Sequence, residues 1–244
     1  ACALVAAKLN IPVAHVEAGI RSFDRTMPEE INRICTDAIS DYLFATTEYG
    51  CANLRREGIP EEKIFLVGNV MIDTLLKYKD KAAATPVLDE LGLKSGSYAL
   101  MTMHRPSNVD IRENLIKILK GIEEIQKEIK IVLPIHPRTR NRIEEFHLNK
   151  RVSDMENLII IEPTGYLRFI NLMMNSKFVL TDSGGMQEET TVLNIPCLTL
   201  RENTERPETV DEGTNILVGN DTQRIIEESF KILEGKGKSG TYPE

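Results

Sequence analysis

The chain has 244 residues, of which 41% are hydrophobic and 27% are charged, and its formal net charge is −7 at pH 7. This length accommodates one large domain or two smaller ones. The negative charge argues against binding to a nucleic-acid backbone or an anionic membrane surface, and no apolar run approaches the roughly 20 residues of a membrane span.

Strand and helix signals alternate along the first third of the chain, with short loops between them. The predicted elements are a helix over residues 1–9, a buried strand over 11–16, a helix starting at Pro28, a strand over 41–46, a helix ending before Gly58 and a strand over 63–67. Glu17 directly follows the first strand, and Glu29 lies in the first turn of the second helix. Such alternation predicts a parallel sheet.

The alternation pauses over residues 78–97, which have the composition of a connector, and then restarts. The predicted elements of the second half are strands over 98–102, 130–135, 158–161, 177–180, 196–200 and 215–218, and helices over 112–128, 186–193 and 222–234. We therefore predict a first α/β domain over 1–77, the connector over 78–97, a second α/β domain over 98–234 and a tail over 235–244. The sequence starts within a helix and stops after a loop, so we expect an excerpt of a longer protein.

Polar residues follow the strands of the second half at their carboxyl ends. They are His104, Arg105, His136, Arg138, Thr164, Ser183 to Gly185, Arg201 and Arg206. In a parallel sheet these positions share one edge, where ligands bind. Because the first half also carries polar residues at its strand ends, we expect a cleft between two lobes.

The segment 177–189 carries the strongest local signal. A short apolar strand leads into Asp182, Ser183, Gly184 and Gly185, and then into a helix expected from Met186, with Glu188 and Glu189 in its first turns. Glycines allow close approach of a ligand, and the free N–H groups of a helix start attract phosphate. Glu189 would repel phosphate, so the vicinal hydroxyls of a ribose are its natural partner. Similar turns also occur in α/β proteins without a ligand there, so the rest of the chain must support a nucleoside diphosphate.

Several candidate side chains have a structural and a functional interpretation. His104 and His136 could be strand-end histidines satisfied by the backbone, but each has an arginine within two residues, which suits a diphosphate. Arg206 could pair with a neighbouring glutamate or contact phosphate. A glutamate such as Glu17 is costly to desolvate unless it is paired or used, whereas Glu29 is ordinarily a capping charge; together they offer two carboxylates for proton transfer.

Other sites have weaker support. No G-x-G-x-x-G follows a strand, the glycine- and lysine-rich residues 235–240 lack phosphate-loop spacing, and His15-x-Glu17 lacks the remaining ligands of a zinc deaminase. We therefore predict no metal and no cofactor. The four cysteines, at positions 2, 35, 51 and 197, have no metal spacing, which favours reduced thiols in a cytoplasmic protein.

Seven motifs in order carry a family resemblance. They are His-Val-Glu-Ala-Gly (15–19), Met-Pro-Glu-Glu-x-Asn-Arg (27–33), Val-Gly-Asn (67–69), Met-His-Arg-Pro-x-Asn (103–108), His-Pro-Arg (136–138), Thr-Asp-Ser-Gly-Gly-x-Gln-Glu-Glu (181–189) and Arg-Glu-Asn-Thr-Glu-Arg-Pro (201–207). Over essentially its whole length the chain resembles the non-hydrolysing UDP-N-acetylglucosamine 2-epimerases. The resemblance implies two Rossmann-like domains of the GT-B type, with the active site in the cleft between them. It also implies reversible conversion of UDP-N-acetylglucosamine to UDP-N-acetylmannosamine for envelope or capsule polysaccharides, by a homodimer without a cofactor.

The same resemblance implies a role for each matched residue. The diphosphate contacts fall on Ser183, Gly184 and Gly185, with His104 and Arg206 nearby. Glu189 falls on the ribose, Thr164 and Phe169 fall beside the uracil, and the catalytic carboxylates fall on Glu17 and Glu29. We also predict that His104 is a catalytic residue and that His136 and Arg138 bind the substrate.

The family pattern also includes an N-terminal Gly-Thr-Arg-Pro-Glu loop, an aspartate just before residue 1 and a last helix, which this sequence lacks. If the chain were the whole molecule, we would expect at most weak UDP binding and no useful turnover; as part of a longer protein, we expect activity. The alternatives are a hydrolysing epimerase, a GT-B glycosyltransferase and a non-catalytic UDP-sugar-binding fragment.

Overall fold

The computed structural model describes residues 1–241, which divide into two compact units. The first unit is Ala1–Asp73 together with Thr204–Glu208, and the second is Thr74–Asn203 together with residues 209–241. The division falls inside a helix, whereas the sequence suggests a boundary after residue 77. Residues 78–97 join the second unit because they pack on it: the Asn171 side-chain amide, for example, donates to the Thr85 carbonyl at 2.9 Å.

The first unit is a small parallel sheet with helices. Its elements are α1 (Cys2–Lys8), β1 (Ala14–Ala18), α2 (Pro28–Ile39), β2 (Tyr42–Ala45), α3 (Glu48–Arg56), β3 (Ile64–Leu66) and the start of α4 (Val70–Ala83). The strands lie in the order β1-β2-β3 and all pair in parallel. A small core forms between this sheet and α3, from Ala18, Leu43, Ala45, Cys51, Leu54 and Ile64.

The first unit differs from the prediction at β1 and α2. The predicted strand after α1 is confirmed as β1, but it starts at Ala14 and includes Glu17. Its predicted burial is wrong, since β1 is an edge strand of the described sheet and Val16 is 52% exposed. The start of α2 at Pro28 is confirmed, but the residues it buries are Glu30 and Asp37, not its isoleucines. The expected glycine after α3 is also confirmed, because Gly58 has a φ of +84°.

The second unit is a larger α/β layer structure. Its further helices are α5 (Val87–Glu90), α6 (Pro106–Val109), α7 (Arg112–Ile125), α8 (Pro137–Glu145), α9 (Asn149–Ser153), α10 (Tyr166–Met174), α11 (Gly184–Val192) and α13 (Thr222–Leu233). Helix α12 (Pro207–Asp211) starts in the residues of the first unit and ends in those of the second. Its strands are β4 (Tyr98–Thr102), β5 (Lys130–Pro134), β6 (Leu158–Ile161), β7 (Phe178–Thr181), β8 (Cys197–Thr199) and β9 (Asn215–Leu217). The predicted tail has no helix or strand as far as Thr241, and its last three residues lie outside the described part of the chain.

The six strands pair in parallel in the order β6-β5-β4-β7-β8-β9, which confirms the predicted parallel sheet. Read from β4, the chain first adds strands on one side and then crosses to β7 on the other. In such a sheet the loops after β4 and β7 diverge, and ligands bind in the crevice that opens between them. The position of this switch point comes only from the tertiary structure.

The glycine segment after β7 differs in detail from the prediction. Helix α11 begins at Gly184, two residues earlier than expected, with Ser183 as its N-cap. Gly184 and Gly185 therefore form its first turn, which contains no acidic residue, and Glu188 and Glu189 lie in the second turn. Both glutamates are buried, at 0% and 5% exposure.

Candidate active site

At the switch point of the larger sheet, the buried carboxylate of Asp182 holds the loop after β4. It accepts hydrogen bonds from the backbone N–H groups of His104, at 2.9 Å, and Arg105, at 2.8 Å. The Asn108 side-chain amide donates to it at 3.2 Å and also to the Leu200 carbonyl at 2.8 Å. Asp182 therefore ties the strand ends of β4 and β7 together, a role that its place in the sequence motif only hints at.

The same carboxylate orients the His104 ring. His104 Nδ1 lies 3.0 Å from Asp182 Oδ1. Burial alone would raise the pKa of Asp182, but the hydrogen bonds from His104 and from the backbone N–H groups lower it below its usual value. Because a charged carboxylate only accepts, Nδ1 of His104 carries the proton and Nε2 remains available at the sheet edge.

His136, which follows β5, lies beside His104, with ring centroids 5.5 Å apart. Its Nδ1 accepts a hydrogen bond from the Arg138 backbone N–H at 3.1 Å, so it caps α8. This bond leaves Nε2 of His136 as the ring donor in the neutral form. The structure thus brings the two predicted histidines together.

Arg138 lies near them in sequence but is held by a carboxylate. Its Nε and Nη2 atoms pair with the two oxygens of Asp110, at 3.0 and 2.5 Å, and Arg142 shares that carboxylate. The arginine pair lowers the pKa of Asp110 to about 2. A role for Arg138 in substrate binding therefore stays a prediction, and the observed partner is Asp110.

The residues of the predicted anion site form the start of α11. Ser183 precedes the helix in extended conformation, and its side chain makes no capping bond within the helix. The first N–H groups of a helix have no intrahelical acceptor, and its dipole favours negative charge there. Since Ser183 and Gly185 are only half-buried, these groups are accessible to a ligand.

Glu189 faces a tyrosine on the neighbouring helix. The Tyr166 hydroxyl, in the first turn of α10, lies 3.4 Å from Glu189 Oε1. Burial raises the pKa of Glu189 to about 7, which the tyrosine hydrogen bond only partly offsets. The contact brings the first turn of α10 next to the second turn of α11. Thr164, just before α10, and Phe169, within it, are both half-buried. Tyr166 is the residue that sequence reasoning missed here.

In the first unit, Glu17 stands at an irregular point of the sheet. The pairing register of β1 with β2 shifts between Val16 and Ala18, and Glu17 between them has a φ of +64°. Its carboxylate Oε2 lies 3.8 Å from Nη2 of Arg206. Arg206 thus pairs with Glu17 within the first unit, and its predicted contact with the diphosphate stays a prediction.

The two adjacent glutamates at the start of α2 have different environments. Glu29 is exposed, as expected for a first-turn charge. Glu30 is 1% exposed, and its carboxylate accepts from the backbone N–H groups of Ser22 and Phe23, each at 3.0 Å. Arg33 bridges Glu30 and Glu205, at 3.2 and 3.7 Å. Glu30 therefore organises the loop before α2, while Glu29 keeps an accessible carboxylate.

Residues 1–241 contain neither a metal-ligand cluster nor a membrane-spanning helix. No cluster of three or more histidine, cysteine or acidic side chains in this range is arranged to bind a metal ion. None of the helices described has the length and apolarity to cross a membrane. The four cysteines are free, with Cys51 and Cys197 buried and the other two exposed.

Comparison with known proteins gives one consistent result. The sequence model of the UDP-N-acetylglucosamine 2-epimerase family matches residues 1–242. The UDP-N-acetylglucosamine 2-epimerase of Methanocaldococcus jannaschii is 49% identical over 98% of this chain and 69% of its own length. Its crystal structure in complex with UDP-GlcNAc and UDP superposes with a TM-score of 0.91 at 50% identity, covering 99% of this chain and 67% of that one. The UDP-2,3-diacetamido-2,3-dideoxy-D-glucuronate 2-epimerase of Pseudomonas aeruginosa is 43% identical over 95% of this chain and 63% of its own length.

Proposed function

The chain belongs to the UDP-N-acetylglucosamine 2-epimerase family, and we propose that it interconverts UDP-N-acetylglucosamine and UDP-N-acetylmannosamine by eliminating and re-adding UDP. One structural observation supports placing the UDP site in the second unit. The switch point of the six-stranded sheet holds a helix start built from Ser183, Gly184 and Gly185, with Glu189 one turn further on. This spacing suits the phosphates and the ribose of one nucleotide.

The chemistry of the sugar explains why such an enzyme needs carboxylates. The hydrogen at C2 is not next to a carbonyl, so its removal alone would leave an unstabilised carbanion. If UDP leaves C1 as the proton leaves C2, a glycal-like intermediate with a carbon–carbon double bond forms instead. Protonation of C2 on the opposite face and return of UDP to C1 then give the epimer, with no net oxidation.

We assign the proton transfers to Glu17 and Glu29, one of which removes the C2 proton while the other returns it. The pairing of Glu17 with Arg206 and the exposure of Glu29 supply two different environments, as an acid and a base require. His104, held at Nδ1 by Asp182, can donate from Nε2 to the departing diphosphate in its doubly protonated, imidazolium form.

The second unit supplies the nucleotide contacts. The Ser183 N–H donates to Thr181 Oγ1 at 3.0 Å, so the Ser183 hydroxyl and the N–H groups of Gly184 and Gly185 receive the diphosphate. Glu189 accepts from the ribose hydroxyls, while Thr164 and Phe169 border the uracil. His136, next to His104, adds a donor for phosphate. These assignments share one sheet edge, which supports them as one binding surface.

The direct test follows C2 in D₂O. The natural full-length protein is incubated with UDP-N-acetylglucosamine, and NMR follows deuterium at C2 and the appearance of UDP-N-acetylmannosamine. Exchange with epimerisation is expected, and Glu17→Gln is expected to abolish both. Free N-acetylmannosamine would indicate a hydrolysing epimerase. Transfer of the sugar to an acceptor would indicate a glycosyltransferase, and binding of the UDP-sugar without exchange would indicate a non-catalytic protein.

The sugar specificity needs its own comparison, because the relative from P. aeruginosa carries the name of a different UDP-sugar epimerase. We assign N-acetylglucosamine, since the M. jannaschii enzyme has the higher identity of the two. Assaying UDP-N-acetylglucosamine and UDP-2,3-diacetamido-2,3-dideoxy-D-glucuronate side by side checks this: a larger kcat/KM for the second would reassign the substrate.

We further propose a cytoplasmic homodimer that supplies polysaccharide synthesis with its sugar nucleotide, as the family resemblance implies. Light scattering on the purified protein measures the oligomeric state, and a monomer at working concentration would contradict this part of the proposal. Fractionation of the source cells tests the location.

A further inference from the structure

Glu17 occupies a backbone conformation that glutamate rarely adopts. Its φ of +64° lies in the left-handed region, where the Cβ atom of a non-glycine residue is crowded. The conformation forms a bulge in β1, because the register to β2 shifts across this residue. Surrounding contacts must hold such a conformation in place.

The contacts on both sides of Glu17 come from one buried side chain, Asp37 of α2, which is 0% exposed. On the N-terminal side, His15 Nδ1 lies 2.5 Å from Asp37 Oδ1. On the C-terminal side, the Gly19 backbone N–H donates to Asp37 Oδ2 at 3.1 Å. A single carboxylate therefore fixes the residues two positions before and two positions after Glu17.

Asp37 is itself held by a buried arginine. Nη2 of Arg21 lies 2.6 Å from Asp37 Oδ2, and the same guanidinium donates to Glu57 at 2.8 and 2.6 Å and to the Ile20 carbonyl at 2.8 Å. Arg21 thus neutralises the charge of Asp37 and fixes its position relative to the chain beyond Gly19. No other described carboxylate has hydrogen bonds to both sides of Glu17.

We propose that Asp37 is the positioning residue for Glu17: it holds the bulge that turns the Glu17 carboxylate into its working direction. The inference rests on the proposed catalytic role of Glu17. Asp37 itself touches no substrate, so it acts only through the bulge. An ordinary extended strand through residue 17 would alternate side chains between the two faces of the sheet, and loss of the bulge would therefore redirect this carboxylate.

The test compares Asp37→Asn with a matched control, Glu57→Gln. Both substitutions remove one negative charge from the same arginine, but Glu57 contacts neither His15 nor Gly19. We expect Asp37→Asn to lower kcat for deuterium exchange at C2 by roughly 10- to 100-fold, with KM and the Kd for UDP changed less than about threefold. Glu57→Gln should keep kcat within about twofold of the parent, even where its unfolding midpoint falls.

Two outcomes overturn the proposal. A folded Asp37→Asn protein with unchanged kcat would show that Glu17 needs no such support. An equal kcat loss in Glu57→Gln would show that the network acts through general stability. If Glu17→Gln itself leaves exchange intact, the proposed function fails, and this result is distinct from either of the others.

A second variant covers the case in which Asp37→Asn does not fold. His15→Ala removes only the N-terminal contact, at a half-buried position, and leaves the pairing of Asp37 with Arg21 and Gly19. A loss of kcat at constant UDP affinity is expected. A crystal structure of this variant should show Glu17 outside the left-handed region, whereas an unchanged φ together with an unchanged kcat would refute the role of Asp37.

Discussion

Replacement of Glu189 by glutamine should change how the stability of the protein depends on pH. Burial at 5% exposure raises the pKa of Glu189 to about 7, from an ordinary value of 4.5. The folded state therefore retains a proton that the unfolded state releases at lower pH. The contribution of the protonated Glu189 carboxyl to the unfolding free energy is fully present below pH 4.5 and is lost as the pH rises through about 7.

The size of this effect follows from the pKa difference. About 2.5 pKa units at about 1.4 kcal/mol each correspond to about 3 kcal/mol of unfolding free energy lost between pH 4.5 and pH 8. Glutamine keeps the shape of the side chain and has no proton to lose. The stability of Glu189→Gln relative to the parent should therefore rise by about 3 kcal/mol over the same pH interval.

Urea unfolding of both proteins at pH 4.5, 6, 7 and 8 measures this difference. Tyr166→Phe is the matched control, because its hydroxyl donates to Glu189 and lowers the pKa of that carboxyl. Without this hydroxyl, the unfolding free energy of Tyr166→Phe should fall more between pH 4.5 and pH 8 than that of the parent protein. If the unfolding free energies of parent and Glu189→Gln run parallel within about 1 kcal/mol from pH 4.5 to 8, the raised pKa of Glu189 is refuted.

The remaining predictions concern the switch point and the first unit. Asp182→Asn should move the His104 proton from Nδ1 to Nε2, visible in ¹⁵N NMR of the ring, and lower C2 exchange at least about tenfold; an unchanged tautomer would contradict the assigned hydrogen bond. Gly19→Ala should destabilise the fold by more than about 2 kcal/mol, because its Cβ would lie 2.3 Å from the Gly50 carbonyl oxygen at a φ of +78°. Gly68→Ala is its control in urea unfolding, since φ is +80° there but no atom lies within 4 Å; only the backbone cost of about 1 kcal/mol is expected, and equal losses at both glycines would refute the steric argument.

UDP binding offers a further check on Glu189. Ribose hydroxyls donate hydrogen bonds, so they favour the charged carboxylate, and a pKa of about 7 leaves it mostly protonated at pH 6. The ratio of UDP affinities between the parent and Glu189→Gln should fall roughly tenfold from pH 8 to pH 6. Calorimetric titration at both pH values measures this ratio. A constant ratio would show that Glu189 does not accept hydrogen bonds from the ribose.

Much of the secondary structure follows from local signals. Alternating apolar strands and amphipathic helices indicate a parallel α/β chain, and β4 and β6 lie within the bounds that their apolar runs suggest. Pro28 marks a helix start because its fixed φ and missing N–H suit that position. Short helices such as α6 and α8 escaped prediction, although Pro106 and Pro137 begin them in the same way.

The order of strands could not be read from the chain. Pairing of β4 with β7 depends on residues that are about 80 positions apart, and no local pattern encodes it. Only that pairing puts Asp182 beside His104 and creates the switch point. The sequence supplies the residue types of the proposed nucleotide site, whereas the sheet topology brings His104 and Asp182 together.

Side-chain environments differ most from what local patterns suggest. The motif around residues 28–33 contains two adjacent glutamates, and only the folded loop shows that Glu30 is consumed by backbone N–H groups while Glu29 stays exposed. The left-handed backbone of Glu17 is equally invisible in the sequence, because the hydrogen bonds on either side of it reach Asp37, 18 to 22 positions away. Residue identity thus determined the chemistry available to this protein. Long-range packing decided which side chains are buried and hydrogen-bonded and which stay exposed, since those contacts come from neighbours distant in the chain.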